Sequence, residues 1–128
     1  MAEVRFDVND AWLFWAIPTD EEGTDLRGMI GAADAVNHAI PSREQVVRTV
    51  NRGLRSGIIE ASGSRFRFAP GIRDEIAAAS SVSTTWMKQW DAIYDFLSSR
   101  EWPPAGKGAY RLSEARYQKT VEDYLKSF

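Results

Sequence analysis

Residues 42–71 read SREQVVRTVNRGLRSGIIEASGSRFRFAPG, and this stretch decides the fold. Ser42 stands where a hydroxyl caps a helix by accepting from a free backbone N–H of the first turn. Residues 43–56 carry that helix, with Glu44 and Gln45 in its first turn and Gly57 as its stop. Val46, Val47, Val50 and Leu54 recur on one apolar stripe. Residues 58–62 and 65–69 alternate as two strands, and Gly63-Ser64 between them is a two-residue hairpin turn. The alternation sends Arg65 and Arg67 to one face, and Phe66 and Phe68 to the other, toward the core.

The helix has a second face. With Val50 at zero and ~100° per residue, Arg48, Arg52 and Arg55 fall at roughly 160°, 200° and 140°, opposite the valines. Gln45 and Asn51 flank them. A guanidinium forks onto guanine, and a Gln or Asn amide onto adenine, while any arginine attracts phosphate. A solvated helix face more often mixes acids and bases at i,i+4 spacing, yet Glu44 is the sole acid of residues 43–56. Because Arg48 and Arg52 point away from the stripe, Arg48→Ala and Arg52→Ala are expected to leave folding intact.

Outward from this stretch, residues 9–17 read as a short buried helix capped by Asn9 or Asp10 and stopped by Pro18. Residues 18–24 read as an acidic loop. Residues 25–38 form a second helix capped by Thr24 or Asp25, whose Gly28 and Gly31 permit close helix approach. Beyond the hairpin, residues 72–79 suit one or two helical turns, and residues 80–85 mark a break. Residues 86–99 are strongly helical, 102–108 a loop, 110–112 extended, and 114–127 a last helix capped by Ser113. Trp86, Trp90, Ile93 and Leu97 make one continuous apolar stripe. It is expected either to pair two copies as a symmetric homodimer or to fold back onto Trp12 and Trp15.

The order helix, helix, helix, hairpin over residues 9–69 resembles a winged helix-turn-helix. Residues 42–71 are similar to the third helix and wing of prokaryotic winged-helix regulators: valine/leucine stripe, turn glycine, Ile58-Ile59, hairpin, and the aromatic–arginine return Phe66-Arg67-Phe68. The resemblance implies a mainly α fold with a small β-hairpin, a winged helix-turn-helix with added C-terminal helices. Residues 1–73 would form the winged-helix part and 74–128 a helical extension of the same compact unit. It also implies sequence-specific DNA binding by a transcriptional regulator, with helix 43–56 in the major groove and hairpin 58–69 as wing. The expected DNA contacts are Ser42, Arg43, Gln45, Arg48, Asn51, Arg52, Arg55, Arg65 and Arg67. Because the fold also serves as a protein-contact module, a winged-helix interaction subunit without nucleic acid is a second expectation. A small-ligand sensor built on Trp86, Trp90 and Trp102 is a third.

Composition narrows the chemistry. The 128 residues carry no cysteine, which excludes disulfides, cysteine–zinc sites and a thiol nucleophile. The one histidine, His38, stands four residues after Asp34 on a helix, and suits a capping or hydrogen-bonded role better than a metal site without a third ligand. Gly106-Lys107-Gly108 lacks the rest of a phosphate loop. No catalytic set emerges, and neither enzyme activity nor a cofactor is expected. Glu3, Asp7 and Asp10 do not fit a signal or transit peptide, and no apolar run is long enough to span a bilayer, so the expected compartment is the cytoplasm. The net charge of -2 is unevenly spread. Residues 1–40 hold 2 Arg against 8 acids, and residues 41–73 hold 7 Arg against 2 Glu with no lysine. The acidic run Asp20-Glu21-Glu22 with Asp25 would repel DNA from any face beside it.

Overall fold

The computed structural model describes residues 3–128. Helix α1 (Val8–Trp15) opens on a reciprocal cap: Asp7 accepts from the Asp10 N–H at 3.0 Å, and Asp10 accepts from the Asp7 N–H at 2.8 Å. The cap is therefore Asp7, not Asn9 or Asp10, and Asp10 is drawn inside the first turn. Ala11, Trp12, Leu13 and Phe14 are all buried, so α1 is an interior helix.

Strand β1 (Thr24–Asp25) leads directly into α2 (Leu26–Asn37), because Asp25 ends the strand and also caps the helix through the Gly28 N–H. Helix α3 (Arg43–Ser56) is followed by β2 (Ile59–Ser62) and β3 (Arg65–Phe68). The sheet is antiparallel in the order β1-β3-β2, with Thr24 opposite Phe66 and Ile59 opposite Phe68. From sequence, Thr24 falls in an acidic loop and Asp25 at the start of a helix, and neither reads as strand. Gly23 permits the pairing: at φ +64° it lies so close to β3 that a Cβ would stand 1.8 Å from the Phe66 carbonyl oxygen.

Helix α4 (Pro70–Ser80) runs for 11 residues, longer than the one or two turns expected. Pro70 occupies a first-turn position, where its missing N–H has no helical role, so Pro70-Gly71 starts the helix. Helices α5 (Trp86–Ser98) and α6 (Glu114–Leu125) complete the chain's regular structure among the described residues. The boundary expected at residue 73 falls inside α4, and one apolar core runs through both parts. No helix among the described residues is long and apolar enough to cross a membrane.

Phe66 and Phe68 are buried while Arg65 is exposed and Arg67 half-exposed, so the strand parity is as the alternation predicts. Phe68 meets Phe14 edge-on at 6.2 Å and thereby fastens the hairpin to α1. Helix α6 crosses α2 at Gly31, where a Cβ would come within 3.1 Å of the Tyr124 ring.

The Trp86, Trp90, Ile93, Leu97 stripe was expected as a possible dimer interface, and the structure corrects this for its inner part. Ile93 and Leu97 are 1% and 2% exposed within the single chain and belong to its own core. Trp90 stacks on Trp12 at 6.1 Å, and its indole N–H donates to the Val8 carbonyl. Trp15 donates to Gln89. The apolar face of α5 is thus taken up by α1, whose Ala11, Trp12, Leu13 and Phe14 are all buried. Only Trp86, with neighbours Met87 and Val82, is left facing outward. Leu97→Ala is accordingly expected to lower folding stability by about 2–5 kcal/mol in urea denaturation. A midpoint equal to wild type would put Leu97 back on the surface.

Candidate nucleic-acid interface

Helix α3 forms as its sequence dictates. The Ser42 hydroxyl accepts from the Gln45 N–H at 3.1 Å, and the Gln45 side chain accepts from the Ser42 N–H at 2.8 Å, a complete capping box. Gly57 closes the helix at φ +78°. Val46, Thr49, Val50 and Gly53 turn inward, and Arg48 and Arg55 stand exposed on the opposite side. Neither the Arg48 nor the Arg55 side chain has a hydrogen-bond or ion-pair partner among the described residues.

The other expected contacts are engaged within the chain. Arg52 donates to Asp10 at 2.7 Å and to Asp7 at 3.2 Å. The Asp10 side chain is fully buried and takes a further hydrogen bond from the Thr49 hydroxyl at 2.5 Å. Arg43 bonds Glu114 at 3.1 Å and the Leu112 carbonyl at 3.0 Å. Asn51 uses both ends of its amide on Tyr110, donating to the carbonyl at 3.1 Å and accepting from the N–H at 2.8 Å. Ser42 and Gln45 occupy each other. In the hairpin, Arg65 donates to the carbonyls of Glu22 and Gly23 at 3.0 and 3.1 Å. Arg67 reaches the Glu21 carbonyl and pairs with Glu60 at 3.7 Å. The acidic run 20–22 thus lies beside the hairpin, not beside α3.

Two segments flank the open edge of α3. On the Arg52 side sits the Asp7–Asp10 turn. On the Asn51 side a chain segment runs antiparallel to the helix: Ala105 and Gly106 donate to the Arg55 carbonyl, Tyr110 meets Asn51, and Leu112 meets Arg43. The short extended piece at 110–112 is held by α3, not by a sheet. The sequence reading missed both flanks. The signal for the first was present in the acid excess of residues 1–40 against the arginine excess of residues 41–73.

Electrostatics at Asp7 follow from this geometry. Burial pushes its carboxyl up, but the Asp10 N–H, the Arg52 hydrogen bond and charge, and the Arg48 charge together hold it below the ordinary aspartate value. Arg52 is likewise opposed by burial, and its two carboxylates hold it above the usual arginine value, firmly charged.

Other candidate groups do not gather. His38 is the left-handed C-cap of α2, at φ 52°, and its side chain is exposed. Asp34 accepts from the Tyr124 hydroxyl at 2.8 Å. Among the described residues no three His, Asp or Glu side chains converge on one point. Trp102 contacts Phe6 and Phe96, while Trp86 and Trp90 contact each other, so the three tryptophans do not line one pocket. No known protein family, curated protein or solved structure matches this chain.

The expectation that Arg52→Ala leaves folding intact is overturned by its partners. Its loss strands a buried carboxylate, and a fall in stability of about 3 kcal/mol is expected, against less than about 0.5 kcal/mol for Arg48→Ala. Paired urea titrations check the contrast. The lowered Asp7 value adds a pH signature. Its stabilisation is complete above the ordinary aspartate range and disappears as pH falls through the lowered folded value. Wild type should therefore lose stability below about pH 4, and Arg52→Ala should flatten that loss. Parallel acid profiles for the two proteins would contradict the pairing.

Proposed function

We propose that the chain is a winged helix-turn-helix protein that binds double-stranded DNA along the outer edge of α3. One observation carries the reading. The order α1-β1-α2-α3-β2-β3, with strands arranged β1-β3-β2, presents α3 beside a hairpin and leaves Arg48 and Arg55 outward and unpaired. The two arginines are seven residues apart, about 10.5 Å along the helix. That is about three steps of 3.4 Å along a duplex.

The mode of binding is narrower than the one the sequence suggests. Asn51 and Arg52 are engaged inside the chain, as is the Gln45 side-chain oxygen, so α3 offers few groups to base edges. Affinity then comes mainly from phosphate attraction, with any base reading confined to Arg48 and Arg55. The hairpin arginines sit on the carbonyls of an acidic loop, which weakens them as a wing contact.

A second reading, a winged-helix subunit that binds protein, draws support from the same inventory. Ser42, Arg43, Gln45, Asn51, Arg52, Arg65 and Arg67 all have partners within the chain. Salt separates the two. Binding to a duplex should weaken steeply with salt, and Arg48→Ala with Arg55→Ala should flatten the log–log slope by about 1.8, at 0.9 per phosphate contact. The thermal melt should stay near wild type. An unaltered slope in the double variant removes the DNA reading, and salt-insensitive copurification of a protein partner favours the second.

A further inference from the structure

We infer that the segment lying along α3, residues 105–111, is the second half of the DNA-facing surface, with Lys107 and Arg111 as additional phosphate contacts. The inference rests on the duplex reading above and extends it to residues outside the helix and hairpin.

The segment is built onto the helix. Its backbone takes hydrogen bonds from or to Arg55, Asn51 and Arg43, the first at 2.6 Å from the Ala105 N–H. Its glycines leave no clearance. A Cβ on Gly108 would stand 2.9 Å from the Arg55 Cγ and 3.0 Å from the Asn51 carbonyl oxygen, and one on Gly106 would stand 2.8 Å from the Leu54 carbonyl oxygen. Only a segment without side chains at these two points approaches the helix so closely.

Charge decides what the segment is for. Residues 103–112, PPAGKGAYRL, hold Lys107 and Arg111 and no acid. Of the four arginines of the helix beneath, Arg43 and Arg52 are paired with carboxylates, and Arg48 and Arg55 are not. A cover that shut α3 off from phosphates would carry carboxylates in their place. This one carries the same sign as the two unpaired arginines, and hydrogen bonds and close glycine contact hold it beside them. A polyanion is attracted by both together. Lys107 and Arg111 are exposed and have no ion-pair partner among the described residues. Arg111 stands between Tyr110, whose ring meets Phe66, and buried Leu112, and Lys107 adjoins the glycine that rests on Arg55.

The test is fluorescence anisotropy of a labelled 20-base-pair duplex across a KCl series, with wild type, Lys107→Gln/Arg111→Gln, Arg48→Ala/Arg55→Ala and Gly108→Val. Both double variants should lower the salt slope by about 1.8. The glutamine pair should keep the wild-type melt. Gly108→Val, which lifts the segment, should bind more weakly than wild type. A glutamine pair with an unchanged slope, beside a lowered slope in the arginine pair, overturns this inference and leaves the duplex reading standing. Tighter binding by Gly108→Val or by the glutamine pair identifies the segment as a cover and also overturns it. Salt-independent or absent binding by wild type removes the duplex reading and this inference together. Polyglutamate competing as well as duplex at equal charge assigns the surface to acidic protein instead.

Discussion

A buried carboxylate at the third position of α1 governs the arrangement of everything around it. Asp10 has no access to water and is satisfied by Arg52 and Thr49 of α3 and by the Asp7 N–H of its own turn. An uncompensated charge in that place would be expensive, so α1 and α3 are held at one register. From α1 the constraint passes outward through indole donors: Trp12 to the Ala33 carbonyl on α2, Trp15 to Gln89 on α5. Trp90 returns the bond from α5 to Val8. These tryptophans are apolar bodies with one donor each, and here each donor is met.

The same pair joins the acidic and the basic blocks of the chain. Arginines in residues 41–73 find carboxylates or carbonyls contributed by residues 1–40: Arg52 at Asp7 and Asp10, Arg65 at Glu22 and Gly23, Arg67 at Glu21. Basic and acidic blocks far apart in sequence are folded together. Arg43, Arg52 and Arg67 of the basic block are neutralised by carboxylates within the chain, and Arg65 is held by uncharged carbonyls, which leaves Arg48 and Arg55 as the unengaged arginines of α3.

Local signals were legible and partner-dependent ones were not. Ser42, the valine stripe and Gly57 delimit α3 at residues 43–56 without help from tertiary structure, and strand alternation places Phe66 and Phe68 in the core. A helical wheel gives the direction of Arg52 but cannot say that Asp10 waits there. The apolar stripe of α5 reads alike whether its partner is α1 or another chain. Two residues of β1 have no periodicity to read, since their pairing is created by β3 and by the flat approach of Gly23. Pro70-Gly71 fits a closing turn and a helix start equally well on composition alone. At the candidate site the outward direction of Arg48 and Arg55 follows from the wheel, whereas the segment at 105–111 reaches α3 through backbone hydrogen bonds, which leave no mark on residue type beyond its two glycines.

The tie between residues 4–15 and residues 89–102 has a consequence for how the protein is made. The Val4 N–H bonds the Trp102 carbonyl, and the indoles of Trp15 and Trp90 close loops spanning 74 and 82 residues. Such distant closures slow folding, because the entropy of a long loop is lost before the contact rewards it. During synthesis α1 leaves the ribosome before α5, with Trp12, Leu13 and Phe14 in need of cover, while α5 is still some eighty residues behind. Residues 8–68 therefore carry exposed apolar surface until residues 86–102 arrive, a window in which a nascent chain is open to aggregation and to chaperones. The helical extension acts as the lock that ends this window.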